Sequence, residues 1–238
     1  MQAKKCFLLV WIPAVCAALA ANKPAAPVLR WSEGAPNCSL REDDDGRNYY
    51  GITSGDIEIT LAVDRQELGK SARRALPAIS ALLSFQYKGN DQFEVRQNRF
   101  SLEFVKHARV VQSSLDPDGI LTRLQQNAQD LTDEVERHQV RKHPEQKEKL
   151  EAELAERIKD YDEMTAFIET RALRPTVLNA GKRSVSGWVF FNTRNRWIGP
   201  WRRPEEFVLR IPLENLVVEF PFQLPPKTTK VQLRRRQQ

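Results

Sequence analysis

The run richest in interaction chemistry is Arg194-Asn195-Arg196-Trp197-Ile198-Gly199-Pro200-Trp201-Arg202-Arg203. Four arginines frame two tryptophans, and Gly199-Pro200 at the centre is a turn signal. Arg194, Arg196, Trp197, Trp201, Arg202 and Arg203 are therefore the candidate interaction surface. Three partners suit such a set. An anionic membrane would take the indoles at headgroup level and the arginines on its charge. A protein partner would use Trp and Arg as binding hot spots. Nucleic acid would stack on the rings and meet arginine with phosphate, the least apt option for an exported chain. A fourth reading needs no partner: the loop folds its tryptophans onto its own domain, with arginines stacked over them.

Catalytic chemistry finds less footing. The histidines are His107, His138 and His143. His138 and His143 are five apart, whereas a helical zinc pair is spaced by four and needs a third ligand. His138 continues an apolar stripe that begins at Leu121, so it is expected at the end of a helical seam. No serine sits in a nucleophile elbow, and no glycine-rich loop leads from a strand into a helix. Glu42-Asp43-Asp44-Asp45-Gly46 has contiguous carboxylates, not the alternating spacing of a calcium loop, and reads as a solvated turn. Cys38 has no histidine near it in sequence and reads as an incidental thiol. A non-enzymatic protein without metal or cofactor is expected; a hydrolase with dispersed catalytic residues is the enzymatic alternative.

The first 20 residues read as a secretory signal. Lys4 and Lys5 form a basic start, Phe7 to Leu19 an apolar stretch, and Ala18-Leu19-Ala20 a cleavage site. The stretch is too short for a membrane span, which takes about 20 apolar residues. Cys16 is preceded by Pro13-Ala14-Val15, a poor lipoprotein motif. Removing the signal leaves Cys38 as the one cysteine, so no internal disulfide can form and the fold must rest on its apolar core. Asn37-Cys38-Ser39 matches an N-glycosylation pattern, which has no meaning in a bacterial chain. The formal net charge of +6 is uneven: −1 over residues 22–119, −4 over 120–173 and +9 over 174–238. The C-terminal third is thus the part that favours an anionic partner.

These groups must be held by regular elements. Residues 21–46, with Pro24, Pro27 and Pro36, are expected to be an irregular lead-in. Alternating apolar positions then predict strands at 57–63, 76–87, 93–95, 100–104 and 110–111, and again at 184–191, 207–212 and 216–223. Pro212 and Pro221 fall at outward positions, which suits edges or bends. The tail, 225–238, has little apolar content and ends in Arg234-Arg235-Arg236.

Between the two sets of strands lies a different period. Leu121, Leu124, Ala128, Leu131 and Val135 follow a three-four spacing, and so do Leu150, Leu154, Ile158, Tyr161 and Met164. Folded antiparallel, Val135 meets Leu150, Leu131 meets Leu154, Leu124 meets Tyr161 and Leu121 meets Met164 in one constant register. The reversal falls at Lys142-His143-Pro144, and Asp116-Pro117 is a helix start. An antiparallel two-helix coiled coil is expected over 116–173, each arm about 35–40 Å long, projecting in part into solvent.

Leu82 to Phe104, with "FEVRQNRFSLEF", resembles the early strands of small secreted bacterial immunoglobulin-like domains. "LRPTVLNAGKRSVSGWVFF", with Gly181 at a turn and Gly187 in an aromatic strand, resembles their late segment. The resemblance covers about a quarter of the chain. It implies an immunoglobulin-like antiparallel sandwich, which falls over 47–115 and 174–224 of a mainly β chain, whereas the long helical hairpin inserted between strands and the lack of an inter-sheet disulfide depart from that family. It also implies a secreted, periplasmic or cell-envelope protein that binds or assembles with another protein, with no catalytic residues to transfer. The alternative is a peripheral module that binds an anionic membrane or polymer surface through the 194–203 loop and the basic tail.

Overall fold

The computed structural model describes residues 26–42, 48–63, 75–106, 109–193, 198 and 203–224. The expected signal, the acidic run from Asp43 onward, His107 and the tail lie outside the described residues. Among the described residues there are twelve strands: β1 Val28–Arg30, β2 Cys38–Glu42, β3 Asn48–Ser54, β4 Ile57–Ala62, β5 Ala78–Tyr87, β6 Phe93–Val95, β7 Ser101–Phe104, β8 Val110–Ser113, β9 Thr176–Leu178, β10 Ser184–Asn192, β11 Glu205–Pro212 and β12 Val217–Leu224. Two long helices, Pro117–Glu134 and Lys147–Arg171, separate β8 from β9.

One five-stranded sheet runs β10-β5-β4-β3-β2, all antiparallel. The other runs β1-β12-β11-β7-β8, antiparallel except where β1 joins β12. β6 and β9 form a separate pair. Neither five-stranded sheet closes into a barrel among the described residues. Alternation explains the pairing. Ile57, Ile59 and Leu61 of β4 and Ala81, Leu83 and Phe85 of β5 share one buried cluster with Leu102, Phe104, Phe207, Leu209, Ile211, Val218 and Phe220 of the other sheet. Pro212 and Pro221 stay half-buried, in phase with that alternation. Pro221 also lies beyond the span where β1 flanks β12, which ends at Glu219, so its missing N–H breaks no pairing with β1.

The lead-in is not irregular as expected. β1 and β2 both fall in it, on opposite sheets, with Trp31 between them. The Trp31 indole donates to the Ser39 carbonyl at 3.1 Å, and its backbone N–H to Glu219 at 2.8 Å. Its ring meets Tyr50 edge-on at 4.9 Å. The tryptophan thus ties the two sheets together at that margin.

The helices start where the sequence predicts. Asp116 Oδ2 accepts from Gly119 N at 2.9 Å, with Pro117 at the first helical position. They turn back through Pro144–Gln146 and pack on each other. The stripe residues Leu121, Leu124, Ala128, Leu131, Val135, Leu150, Leu154, Ile158, Tyr161 and Met164 are all buried or half-buried, while most of their neighbours are exposed. The stripe fails at His138, which is exposed. Val135–Gln139 is a π-helical turn, whose wider winding inserts one residue. The half-buried positions therefore move on to Gln139 and Val140.

The helix ends nearest the sheets form a second apolar cluster with β10. Ile120, Leu124, Met164 and Ile168 pack with Trp188 and Phe190, which face away from the sheet–sheet core. Val189 and Phe191 of the same strand face into that core. Both crossings hydrogen-bond to β10: Leu115 N to Phe190 O and Leu173 N to Trp188 O, each 2.8 Å. Asp118 and Arg174 close the base with an ion pair at 2.7 Å. Gly187 makes the second crossing possible, since a Cβ there would lie 2.6 Å from Leu173 N and 2.7 Å from its Cα.

The hairpin is therefore built in two regimes. Met164→Ala or Ile168→Ala removes a fully buried side chain and should cost about 2–5 kcal/mol in chemical denaturation. Gly187→Ala should also destabilise, since the clash is with backbone. Leu131→Asp with Leu154→Asp changes half-buried seam positions far from β10. That pair should reduce helical circular dichroism and leave the sheets' cooperative unfolding intact. Equal loss of cooperativity in the Leu131/Leu154 and Met164 variants would show that the arms fold as part of the main core throughout.

Candidate functional site

Of the candidate surface, Arg194, Arg196, Trp197, Trp201 and Arg202 lie outside the described residues; Ile198 and Arg203 are described. Ile198 is 4 % exposed and belongs to the sheet–sheet core. Arg203 is exposed. The loop's flanks are fixed. At the β10 end, Thr193 donates to the Pro77 carbonyl through N at 3.0 Å and Oγ1 at 2.8 Å. At the β11 end, the fully buried Glu205 carboxylate accepts from the backbone N–H groups of Lys106 at 2.7 Å and Glu206 at 3.0 Å. The loop thus passes from one sheet to the other with both ends and its centre pinned. Ile198 was the anchor to look for: an isolated branched apolar residue inside a basic run has little to do in solvent.

Other basic side chains of the C-terminal third are engaged internally. Arg174 is paired with Asp118. Arg183 Nη1 donates to the carbonyls of Lys88 at 2.7 Å and Gly89 at 2.8 Å. Arg210 bridges Glu103 and Glu219 on the outward face of its sheet, and Arg30 reaches Glu219 at 3.4 Å. Burial opposes the Arg210 charge, but its hydrogen bonds to Glu219 and Glu103 outweigh that and raise its pKa. Lys106 pairs with Glu206, and this hydrogen bond holds the Glu206 carboxyl below its usual range. These cross-strand pairs neutralise the outer face of the β11 sheet.

The hairpin is charged along its length. Arg137–Asp133, Lys147–Glu151, Lys149–Glu153 and Lys159–Glu163 are ion pairs one turn apart. Among the described residues the exposed large apolar ones are Val28, Leu40, Val111 and Val177, on β1, β2, β8 and β9, and none is on the hairpin. β1 and β8 end one five-stranded sheet, and β2 ends the other.

Among the described residues, no three His, Cys, Asp or Glu side chains gather in a metal-binding group. His143 Nδ1 lies 3.4 Å from Glu145 on an exposed turn. Cys38 is a half-buried free thiol on β2. One surface depression, at the end of the β5–β10 pair, is lined by Gln86, Tyr87, Lys88, Arg183 and Ser184, with no carboxylate among them. No described helix is long and apolar enough to cross a membrane. No family model, curated protein or solved structure matches the chain.

Two substitutions separate anchoring from binding in the loop. Ile198→Ala should lower stability by about 2–5 kcal/mol, as for any buried aliphatic truncation. Trp197→Ala with Trp201→Ala should leave the melting temperature near wild type if the rings face a partner. That variant should also lose sedimentation with anionic liposomes, a binding that salt weakens through a Debye length of about 8 Å at physiological strength. A large drop in melting temperature, with no liposome binding by wild type at low salt, would make the rings part of the core.

Proposed function

We propose that this chain is a non-enzymatic protein of the secretory route or cell envelope, and that it engages a protein partner through its helical hairpin. In this reading the two sheets form an immunoglobulin-like sandwich in architecture, two sheets over one core, antiparallel apart from the β1–β12 pair. Its strand order differs from an immunoglobulin domain, because β2 to β5 run as one uninterrupted meander. The helices form an antiparallel two-stranded coiled coil whose seam is re-phased at the π-helical turn.

The observation that carries the proposal is the contrast along the hairpin. Its base is clamped against Trp188 and Phe190, while its far half is exposed and charged on both arms. A rigid base that holds a solvated arm out from the sheets suits presentation to another molecule. Because no large apolar side chain is exposed on the arms, the contact it offers is polar and directed by charge. A surface-binding role for the 194–203 loop is the second reading. It is favoured by the burial of Ile198 within that loop and the exposure of Arg203 at its end.

The test is affinity capture from native envelope extract with three forms of the full chain: wild type, Arg141→Glu with Lys142→Glu, and Leu131→Asp with Leu154→Asp. The expected result is a protein partner held by wild type and lost from both variants, with the charge-reversed form melting like wild type. Recovery should fall as salt rises. Identical partners on all three forms would overturn the hairpin reading. Capture of anionic lipid in place of protein would transfer the function to the loop.

A further inference from the structure

The tripeptide pattern Asn-X-Ser/Thr, with X other than proline, occurs once in the chain, at Asn37-Cys38-Ser39. The structure gives that site a particular setting. Cys38 N donates to Ala35 O at 2.9 Å, closing a β-turn with Pro36 and Asn37 at its two central positions. The Asn37 carbonyl accepts from Thr53 N at 2.8 Å, so the backbone is pinned to β3. Its side chain is half-exposed, and Oδ1 has only a weak contact from the Cys38 thiol at 3.9 Å. Ser39 is exposed on the neighbouring position of β2. The turn therefore holds the backbone and leaves the Asn37 side chain half-exposed and Ser39 exposed.

The middle residue of the tripeptide also matters. A cysteine there can draw the segment into a disulfide before sugar is attached. Here the other two cysteines, Cys6 and Cys16, fall within the expected signal, so the mature chain offers Cys38 no internal partner. Among the described residues, the strand that begins at Cys38 has a neighbouring strand on one side alone. β2 pairs with β3 on one side and ends its sheet on the other. Leu40, in the middle of it, is 48 % exposed. The Trp31 indole covers the Ser39 carbonyl. An edge strand with exposed apolar residues invites pairing with another chain unless something bulky covers it.

We propose that Asn37 is an N-linked glycan acceptor, and that the glycan shields the open edge of β2. The proposal rests on the export reading in its eukaryotic form, a secretory route and not a bacterial envelope, because the donor is a lipid-linked oligosaccharide pyrophosphate met in a secretory compartment. The Asn37 Nδ2 atom attacks the anomeric carbon, a C–N bond forms, and the sugar–oxygen bond to pyrophosphate breaks. The pyrophosphate leaves on its lipid, and one amide proton passes to a base of the transferase. No electrons change hands, and the attached sugar is bulky and solubilising.

The experiment expresses the full chain in a eukaryotic secretory cell, once with its own first residues and once behind a substitute leader. Peptide mass analysis before and after enzymatic deglycosylation reads residue 37, which becomes aspartate where a glycan is removed. Wild type should carry one glycan. Asn37→Gln and Ser39→Ala should lose it, while Ser39→Thr and Cys38→Ser should keep it. The deglycosylated chain should also self-associate more than the glycosylated one in sedimentation velocity. A product secreted behind the substitute leader with Asn37 unmodified would overturn the acceptor proposal. Glycan attached only behind the substitute leader would overturn the export reading and leave the acceptor standing. Equal self-association of both glycoforms would remove the shielding role.

Discussion

The arrangement depends on β10 being apolar on both faces. A strand at a sheet margin normally buries one side and wets the other. Here Gly187 to Phe191 is buried without interruption. Val189 and Phe191 hold the two sheets together, and Trp188 and Phe190 hold the helices. Truncating a buried aromatic of this kind costs about 3–5 kcal/mol, a large share of the marginal stability of a domain. The strand also lies at the end of its sheet, so its outer carbonyls need partners. The two chain crossings supply them through Leu115 and Leu173. The helical insertion thus seals an edge that would otherwise be open, and the edge in return fixes the base of the insertion.

Much of this was legible in the residues, and the failures have physical causes. β4, β5, β7, β11 and β12 alternate with period two because each has one face on the shared core. The helices keep a three-four stripe because their facing surfaces are narrow. β1 and β2 were missed because strands at a margin bury little and so show no clean alternation: Val28 and Leu40 are exposed, and β1 has three residues. β3 carries Gly51 in its middle, where a Cβ would strike the Ser39 side chain, and a glycine mid-strand reads as a break. His138 was misplaced by the π-helical turn, which a strict repeat cannot anticipate. The unbroken run Trp188-Val189-Phe190-Phe191 was itself the signature of a doubly buried strand, and its second face required a second layer. In the candidate loop, the arginines and tryptophans drew the eye, whereas the described structural role belongs to Ile198.

Charge and apolar surface are kept apart in this molecule. The arms carry ion pairs at helical spacing and no exposed large apolar residue, while Val28, Leu40, Val111 and Val177 sit on short strands. Surface ion pairs contribute little to stability, so their density on the arms is better understood as solubility for a long, thin element. The charges on the β11 sheet have another use. Glu219 is 7 % exposed and lies between Arg210 and Arg30, in a ladder spanning several strands. Removing Arg210 would leave that buried carboxylate with Arg30 alone, whereas the i,i+4 ion pairs on the arms join solvent-exposed side chains.

The π-helical turn lies toward the tip, just before the reversal, and has a consequence for how the arms meet. Up to Val135, 5 % exposed, the first helix keeps its three-four stripe buried or half-buried. One inserted residue rotates the rest of the arm by about 100°, given 3.6 residues per turn. Without further change, that rotation would turn the original stripe away from the partner arm. The chain instead brings Gln139 and Val140 inward, a polar amide and a short branched side chain. The far end therefore has a thinner apolar seam than the base, and its packing resists separation less. A hairpin packed tightly where it meets the sheets and less tightly toward its tip can move the tip without disturbing Trp188 and Phe190. The weaker seam is thus compatible with the stability of the whole, because the burial that stabilises the fold is concentrated at the base.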